Sequence, residues 1–166
     1  MGATSARRIV MGFDGSYASI AALHWAAIEA NSTGSTLELV MAWQWPVNCG
    51  WPQELTDSYN PEASAREELE TAEKRAREMH PGVDIRTRLV QGQPASALVE
   101  ASWGAALLVV GSGQRHGRFW RFPFGSVRNP CVANAHCPVV VFISGNGGRG
   151  NQRPPRRDEL LNRHLP

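Results

Sequence analysis

Five short apolar segments, each separated from the next by a helix-compatible stretch, constrain the fold of this chain more than any other feature. They lie at Arg7–Phe13, Thr36–Trp43, Val83–Val90, Ala105–Val110 and Pro138–Ile143. Each has strand length and is rich in Val, Ile, Leu or Met. The first, fourth and fifth are apolar on consecutive residues, which marks strands buried on both faces. Such strands belong to parallel sheets, whose long crossover connections lay helices over both sides. The expected fold class is α/β: a single five-stranded parallel sheet with helices on both faces.

The intervening segments carry helix signals. Asp14 or Ser16 stands where a helix cap is needed, before Ile20, Leu23, Ala27 and Ile28 at helical spacing, and Asn31-Ser-Thr-Gly34 ends that helix. Glu62–His80 is dense in Glu, Arg and Ala, with an apolar face at Leu69, Ala72, Ala76 and Met79, and Pro81-Gly82 stops it. Shorter helices are expected at Ala95–Trp103 and Val127–Ala135. The third strand is expected to set Val83, Ile85, Thr87 and Leu89 on one face. An aromatic loop runs from Trp43 to about Pro61; Trp43 reads as strand-end packing, and Trp45, Trp51 and Trp120 as loop packing rather than a box for a base.

A length of 166 residues suits one domain. Residues 1–6 and 144–166 read as a disordered N-terminus and a mobile Gly/Pro/Arg-rich tail around a domain at 7–143. The formal charge is +2, but the tail holds five arginines against Asp158 and Glu159, which leaves −1 for residues 1–143. That near-neutral body gives no reason to expect a nucleic-acid partner. Cys49, Cys131 and Cys137 show no C-x-x-C spacing, so Cys131 and Cys137 read as small buried apolar residues. No apolar run approaches the roughly 20 residues of a membrane span, and Met1–Ala6 has no apolar core of a signal peptide. The expected location is cytoplasmic.

The most suggestive stretch for function is 107–127. Leu107–Val110 breaks at Gly111 into a loop rich in Gly and Arg that closes at Gly125-Ser126, where a helix begins. A buried strand feeding such a loop leaves backbone N–H groups and a helix dipole free for an anion. A plain strand–loop–helix connection would use the same glycines for turns. No G-x-x-x-x-G-K-[ST] is present, and the one lysine, Lys74, lies in the charged second helix. His116 replaces the third glycine of a G-x-G-x-x-G fingerprint, which disfavours Rossmann-type NAD binding. His116 itself reads as a solvent-facing loop residue, and no G-x-S-x-G elbow occurs.

Taken in order, Ile9-Val-Met-Gly-Phe-Asp-Gly-Ser16, Leu39-Val-Met-Ala-Trp43, Gly92-Gln-Pro94, Leu107-Leu-Val-Val-Gly-Ser112, Gly125-Ser-Val127 and Cys137-Pro-Val-Val-Val141 resemble the universal stress protein family. The resemblance covers roughly residues 7–143 and implies a Rossmann-like strand order of 3-2-1-4-5. It also implies a regulatory domain for stress response rather than an enzyme, binding ATP or a related adenine nucleotide with accompanying Mg2+. The residues it marks for the nucleotide are Gly12, Asp14, Ala42, Gly111, Gly117, Gly125, Ser126 and Val127. Asp14 would lie near the adenosine and the Ala42 backbone would meet the adenine edge. The loop departs from the family pattern: Gln114 replaces a glycine, one extra residue precedes Gly125, and Phe119-Trp-Arg-Phe-Pro-Phe124 is bulky. Arg115, Arg118 and Arg121 offer charge-assisted donors in compensation. The alternative is a dimeric interaction module that has lost nucleotide binding. Slow ATP hydrolysis ranks below both, because the Gly111–Ser126 loop holds no carboxylate to orient water. By the same resemblance strand 138–143 lies at a sheet edge, where a second copy is the expected cover in a homodimer.

Overall fold

A computed structural model describes residues 7–45, 60–112 and 127–143. Residues 1–6, 46–59, 113–126 and 144–166 lie outside the described residues, with Cys49, Trp51 and the arginine-rich tail among them. The elements run β1 (Arg8–Gly12), α1 (Tyr17–Thr33), β2 (Thr36–Trp43), α2 (Pro61–Met79), β3 (Ile85–Gln91), α3 (Pro94–Ala101), β4 (Leu107–Ser112), α4 (Arg128–Asn134) and β5 (Val139–Ile143). The strands form one parallel sheet in the order β3-β2-β1-β4-β5.

The sheet is covered on both sides, as its doubly apolar strands require. On one face Ile9, Met11, Leu37, Leu39, Met41, Ile85 and Val109 pack under Ile20, Leu23 and Ala27 of α1 and Leu69, Ala72 and Ala76 of α2. On the other, Val10, Val40, Leu108 and Val110 meet Leu98 and Ala101 of α3 and Cys131 of α4. Each large aliphatic side chain so buried contributes about 1.5–3 kcal/mol, so neither face can be left open to water. Burial pushes the Cys131 thiol up to about 11, which keeps it protonated and inert. Cys137 packs half-buried on the same face, its thiol also raised by burial, against an opposite pull from Arg8.

Local chemistry sets the helix ends. Ser16 caps α1, its Oγ accepting the Ser19 N–H at 3.2 Å, and Gly34 closes the helix with φ of 62°. Asn60 caps α2 by accepting the Ala63 N–H at 3.0 Å, and Pro61 takes the first helical position, one residue before the expected start.

Several boundaries shift from expectation for visible reasons. β3 starts at Ile85 because the Val83 N–H turns back to the His80 carbonyl at 3.1 Å. Thr87 is exposed and bonds Glu73, since β3 is an edge strand lying under the flank of α2. α3 stops at Ala101, where the Ser102 hydroxyl bonds the Val99 carbonyl at 2.6 Å. β4 begins at Leu107 and continues past Val110 to Ser112. No helix among the described residues is long and apolar enough to cross a membrane.

Candidate functional site

The strands differ in length, and that difference builds a notch. β1 ends at Gly12, opposite Val40 of β2 and Val110 of β4. β2 runs on three residues to Trp43, paired with β3, and β4 runs on two to Ser112, paired with β5. Above the end of β1 the sheet therefore has a gap between two longer strands. Phe13-Asp14-Gly15-Ser16 crosses the gap and leads into α1. From β1 the chain steps outward on one side through β2 and β3, then returns to the other side at β4. The gap thus coincides with the switch point at the carboxyl edge, where open α/β sheets bind ligands.

Backbone polarity in the notch follows from the ladder. The Val40 carbonyl accepts the Phe13 N–H at 2.9 Å, so Val40 faces β1. The Trp43 carbonyl accepts the Gly92 N–H at 2.9 Å, so Trp43 faces β3. Alternation along the strand turns the Ala42 N–H and C=O to the β1 side, beyond the last residue of β1. Ala42 carries only a methyl group there, which leaves its backbone approachable. Asp14 is half-buried at the floor, with Oδ1 accepting the Ser16 N–H at 3.0 Å across a turn in which Gly15 takes φ of 67°. Either Asp14 or Ser16 was a possible cap from sequence; Ser16 fills that role and Asp14 braces the turn before it.

Both described glycines of the site have a packing reason. A Cβ on Gly12 would stand 2.7 Å from Leu98 Cδ1. A Cβ on Gly111 would stand 2.9 Å from the Ser19 nitrogen and 3.0 Å from the Ala18 carbonyl carbon. Gly111 belongs to β4, opposite Phe142, rather than to the loop that was expected to start there. Val127 precedes α4 with helical φ and ψ of −63° and −29°, half-buried on the α3–α4 face, its carbonyl accepting the Cys131 N–H at 3.2 Å. Gly12, Asp14, Ala42 and Gly111 are thus gathered around one notch. Gly117, Gly125 and Ser126 lie outside the described residues, as do Gln114, His116, Arg115, Arg118, Arg121, Trp120 and Phe119–Phe124.

Sequence reasoning assigned no role to Ser112, which ends β4 on the rim of the notch. The available signal was its position as the first polar side chain after Leu107–Val110. Trp45 departs from the expected loop packing. It meets Trp43 edge-on, ring centres 6.2 Å apart, and is 53% exposed. Among the described residues no group of three His, Cys, Asp or Glu side chains is arranged to hold a metal ion.

Comparison with known proteins agrees with this fold. The model of the universal stress protein family matches residues 5–142. Universal stress protein Rv2624c of Mycobacterium tuberculosis is 34% identical over 143 residues, covering 86% of this chain and 50% of the relative. The chain therefore spans about half the length of the curated relatives it matches. Among solved structures, a universal stress protein in complex with cAMP is 27% identical, with a TM-score of 0.62 over 86% of this chain and 100% of the other. A member of the same family from Burkholderia pseudomallei is 26% identical, with a TM-score of 0.60 over 84% and 98% of the two chains.

Proposed function

The chain belongs to the universal stress protein family, and from that premise we propose that it is a regulatory domain, spanning residues 7–143, that binds ATP or a related adenine nucleotide in the notch above β1. The observation that carries this reading is the Ala42 backbone, turned toward the notch beyond the end of β1 with a donor and an acceptor side by side. That pair matches the edge of an adenine ring, which offers one acceptor and one donor in the same spacing. The Asp14 carboxylate at the floor suits ribose hydroxyls, which are donors. The solved relative at 27% identity holds cAMP, an adenine nucleotide.

On this reading the phosphates extend toward Gly117, Gly125 and Ser126 and the start of α4 at Val127, and any Mg2+ arrives on the phosphates. Arg115, Arg118 and Arg121 supply charge-assisted donors that offset the glycine replaced by Gln114. The nucleotide acts as a signal whose presence alters the surface offered to partners, and the domain works in the cytoplasm without chemical turnover. A homodimer through the edge strand β5 fits the same reading. β5 has half-buried Val139, Val140, Val141 and Phe142 and an outermost place in the sheet.

One observation favours a second reading. Gly12 and Gly111 are required by Leu98 and by the first turn of α1, so both would persist in a domain that had lost its nucleotide. That reading is a dimeric interaction module. Calorimetry separates the two: the first predicts a saturable heat with ATP that Gly125→Glu abolishes by putting a like charge in the phosphate path. A flat titration of the parent protein at millimolar ATP leaves the interaction module.

A further inference from the structure

β2 ends in an aromatic pair beside the notch. Trp43 closes the strand and packs half-buried against the α1–α2 core, with Leu39 and Met41 below it. Trp45 follows two residues later and meets Trp43 edge-on, ring centres 6.2 Å apart and planes inclined by 75°. Trp43 is thus anchored in the core, while more than half of Trp45, 53%, stays in water. In an edge-on pair each ring keeps at least one face free of the other.

The position of the pair decides what that free face can meet. Side chains alternate along β2: Leu39, Met41 and Trp43 rise on the α1–α2 side, and Val40 on the α3–α4 side. Alternation sends the Ala42 methyl to the side of Val40, while its backbone N–H and C=O lie in the plane of the sheet and point across the notch. A base held by its edge to that donor and acceptor continues the plane of the sheet, because good hydrogen bonds keep the partners near one plane. Its two faces then look toward the two helix layers. On the α1–α2 side the notch is flanked by the first turn of α1, where Ala18 and Ser19 stand against Gly111, and by the two indoles at the end of β2. On the opposite side Leu98 stands against Gly12.

We propose that Trp45 stacks on the base of a nucleotide held at Ala42. The inference rests on the reading of the notch as an adenine-nucleotide site and gives that site a second determinant. The Ala42 backbone reads the edge of the base, and Trp45 holds its face. The division of labour follows from the chemistry of each contact. Every base has a π face, so an indole platform adds affinity without choosing among bases, and the choice of adenine falls to the hydrogen-bonding edge. Stacking also withdraws from water the apolar surface that Trp45 exposes in the free domain.

Trp103 supplies an internal reference. It is the other exposed indole among the described residues, stacked on His136 with ring centres 3.6 Å apart. Its carbonyl accepts from Arg8, at the start of β1, so it lies at the amino ends of the strands, away from the notch.

The test labels the full chain with fluorotryptophan and follows the addition of ATP by fluorine NMR, with Trp45→Phe and Trp103→Phe assigning the two resonances. ATP should move the Trp45 resonance and leave that of Trp103 in place. Calorimetry then reads the strength of the contact. Trp45→Ala should bind ATP about 5–150-fold more weakly, the range for loss of one base–aromatic stack, while Trp45→Tyr, whose ring also stacks, should bind nearly as well as the parent. A parent that binds ATP with its Trp45 resonance unmoved, or a Trp45→Ala variant as tight as the parent, overturns the stack and leaves the nucleotide site standing. So does a Trp45→Tyr variant as weak as Trp45→Ala. A parent that binds no ATP at millimolar concentration overturns the site itself, and the stack with it.

Discussion

Gly111→Ala adds one methyl group where the notch is walled by backbone. The new Cβ would stand 2.9 Å from the Ser19 nitrogen, 3.0 Å from the Ala18 carbonyl carbon and 3.2 Å from the Ala18 Cβ. Two of these are backbone atoms of the first turn of α1, which Ser16 holds in its cap. Ordinary contact begins near 3.4 Å, so the turn must retreat by about half an ångström, and overpacking of this kind costs about 1–3 kcal/mol. Gly12→Ala is the internal control. Its clash distance is shorter, 2.7 Å, but the obstacle is Leu98 Cδ1, the end of a side chain that can change rotamer. Gly12→Ala should therefore cost less, about 1 kcal/mol. Thermal unfolding followed by circular dichroism reads both. At roughly 3–5 °C per kcal/mol for a domain of this size, Gly111→Ala should melt about 3–15 °C below the parent, and Gly12→Ala closer to it. Equal melting of parent and Gly111→Ala, or a larger loss in Gly12→Ala, refutes the packing argument.

Three further expectations follow from other residues. Ser16→Ala removes the cap of α1 and should lower stability by about 0.5–2 kcal/mol, measured by urea unfolding, whereas Ser32→Ala on the exposed end of the same helix should change it little. Replacing Arg115, Arg118 and Arg121 together by Ala should weaken ATP binding and flatten its dependence on salt; an affinity already insensitive to salt in the parent would show these side chains to be plain solvated surface. Val141→Pro deletes a mid-strand donor of β5, and sedimentation should find the parent as a dimer and the variant as monomer or precipitate; a parent that sediments as a monomer at micromolar concentration removes the dimer.

The fold was readable because its signals are local and repeated. Ile9-Val-Met, Leu107–Val110 and Val139–Ile143 are apolar on consecutive residues, and only a sheet covered twice accommodates them. Ser16 announces the start of α1 through a side chain that bonds its own neighbourhood, and Gly34 announces its end through a left-handed backbone conformation. The strand order came through family resemblance, since periodicity does not distinguish one parallel order from another.

The notch was legible only in outline. Asp14, Ala42 and Gly111 fall at strand ends, but that β2 and β4 outrun β1 depends on pairing across the sheet. For the same reason the sequence presents Gly12 and Gly111 as ligand contacts, while their packing against Leu98 and Ala18 emerges only when α3 and α1 are in place. Trp45 is exposed because the strand has ended two residues earlier, a fact of length rather than composition.

The central claim is that an adenine nucleotide occupies the notch above β1. Native mass spectrometry of the purified protein, before and after incubation with ATP, addresses it most directly. The account predicts an adduct with the mass of an adenine nucleotide on the parent, its loss in Gly125→Glu, and its weakening when Asp14 is replaced by Ala. A parent that carries no nucleotide from the cell and acquires none at millimolar ATP would contradict it.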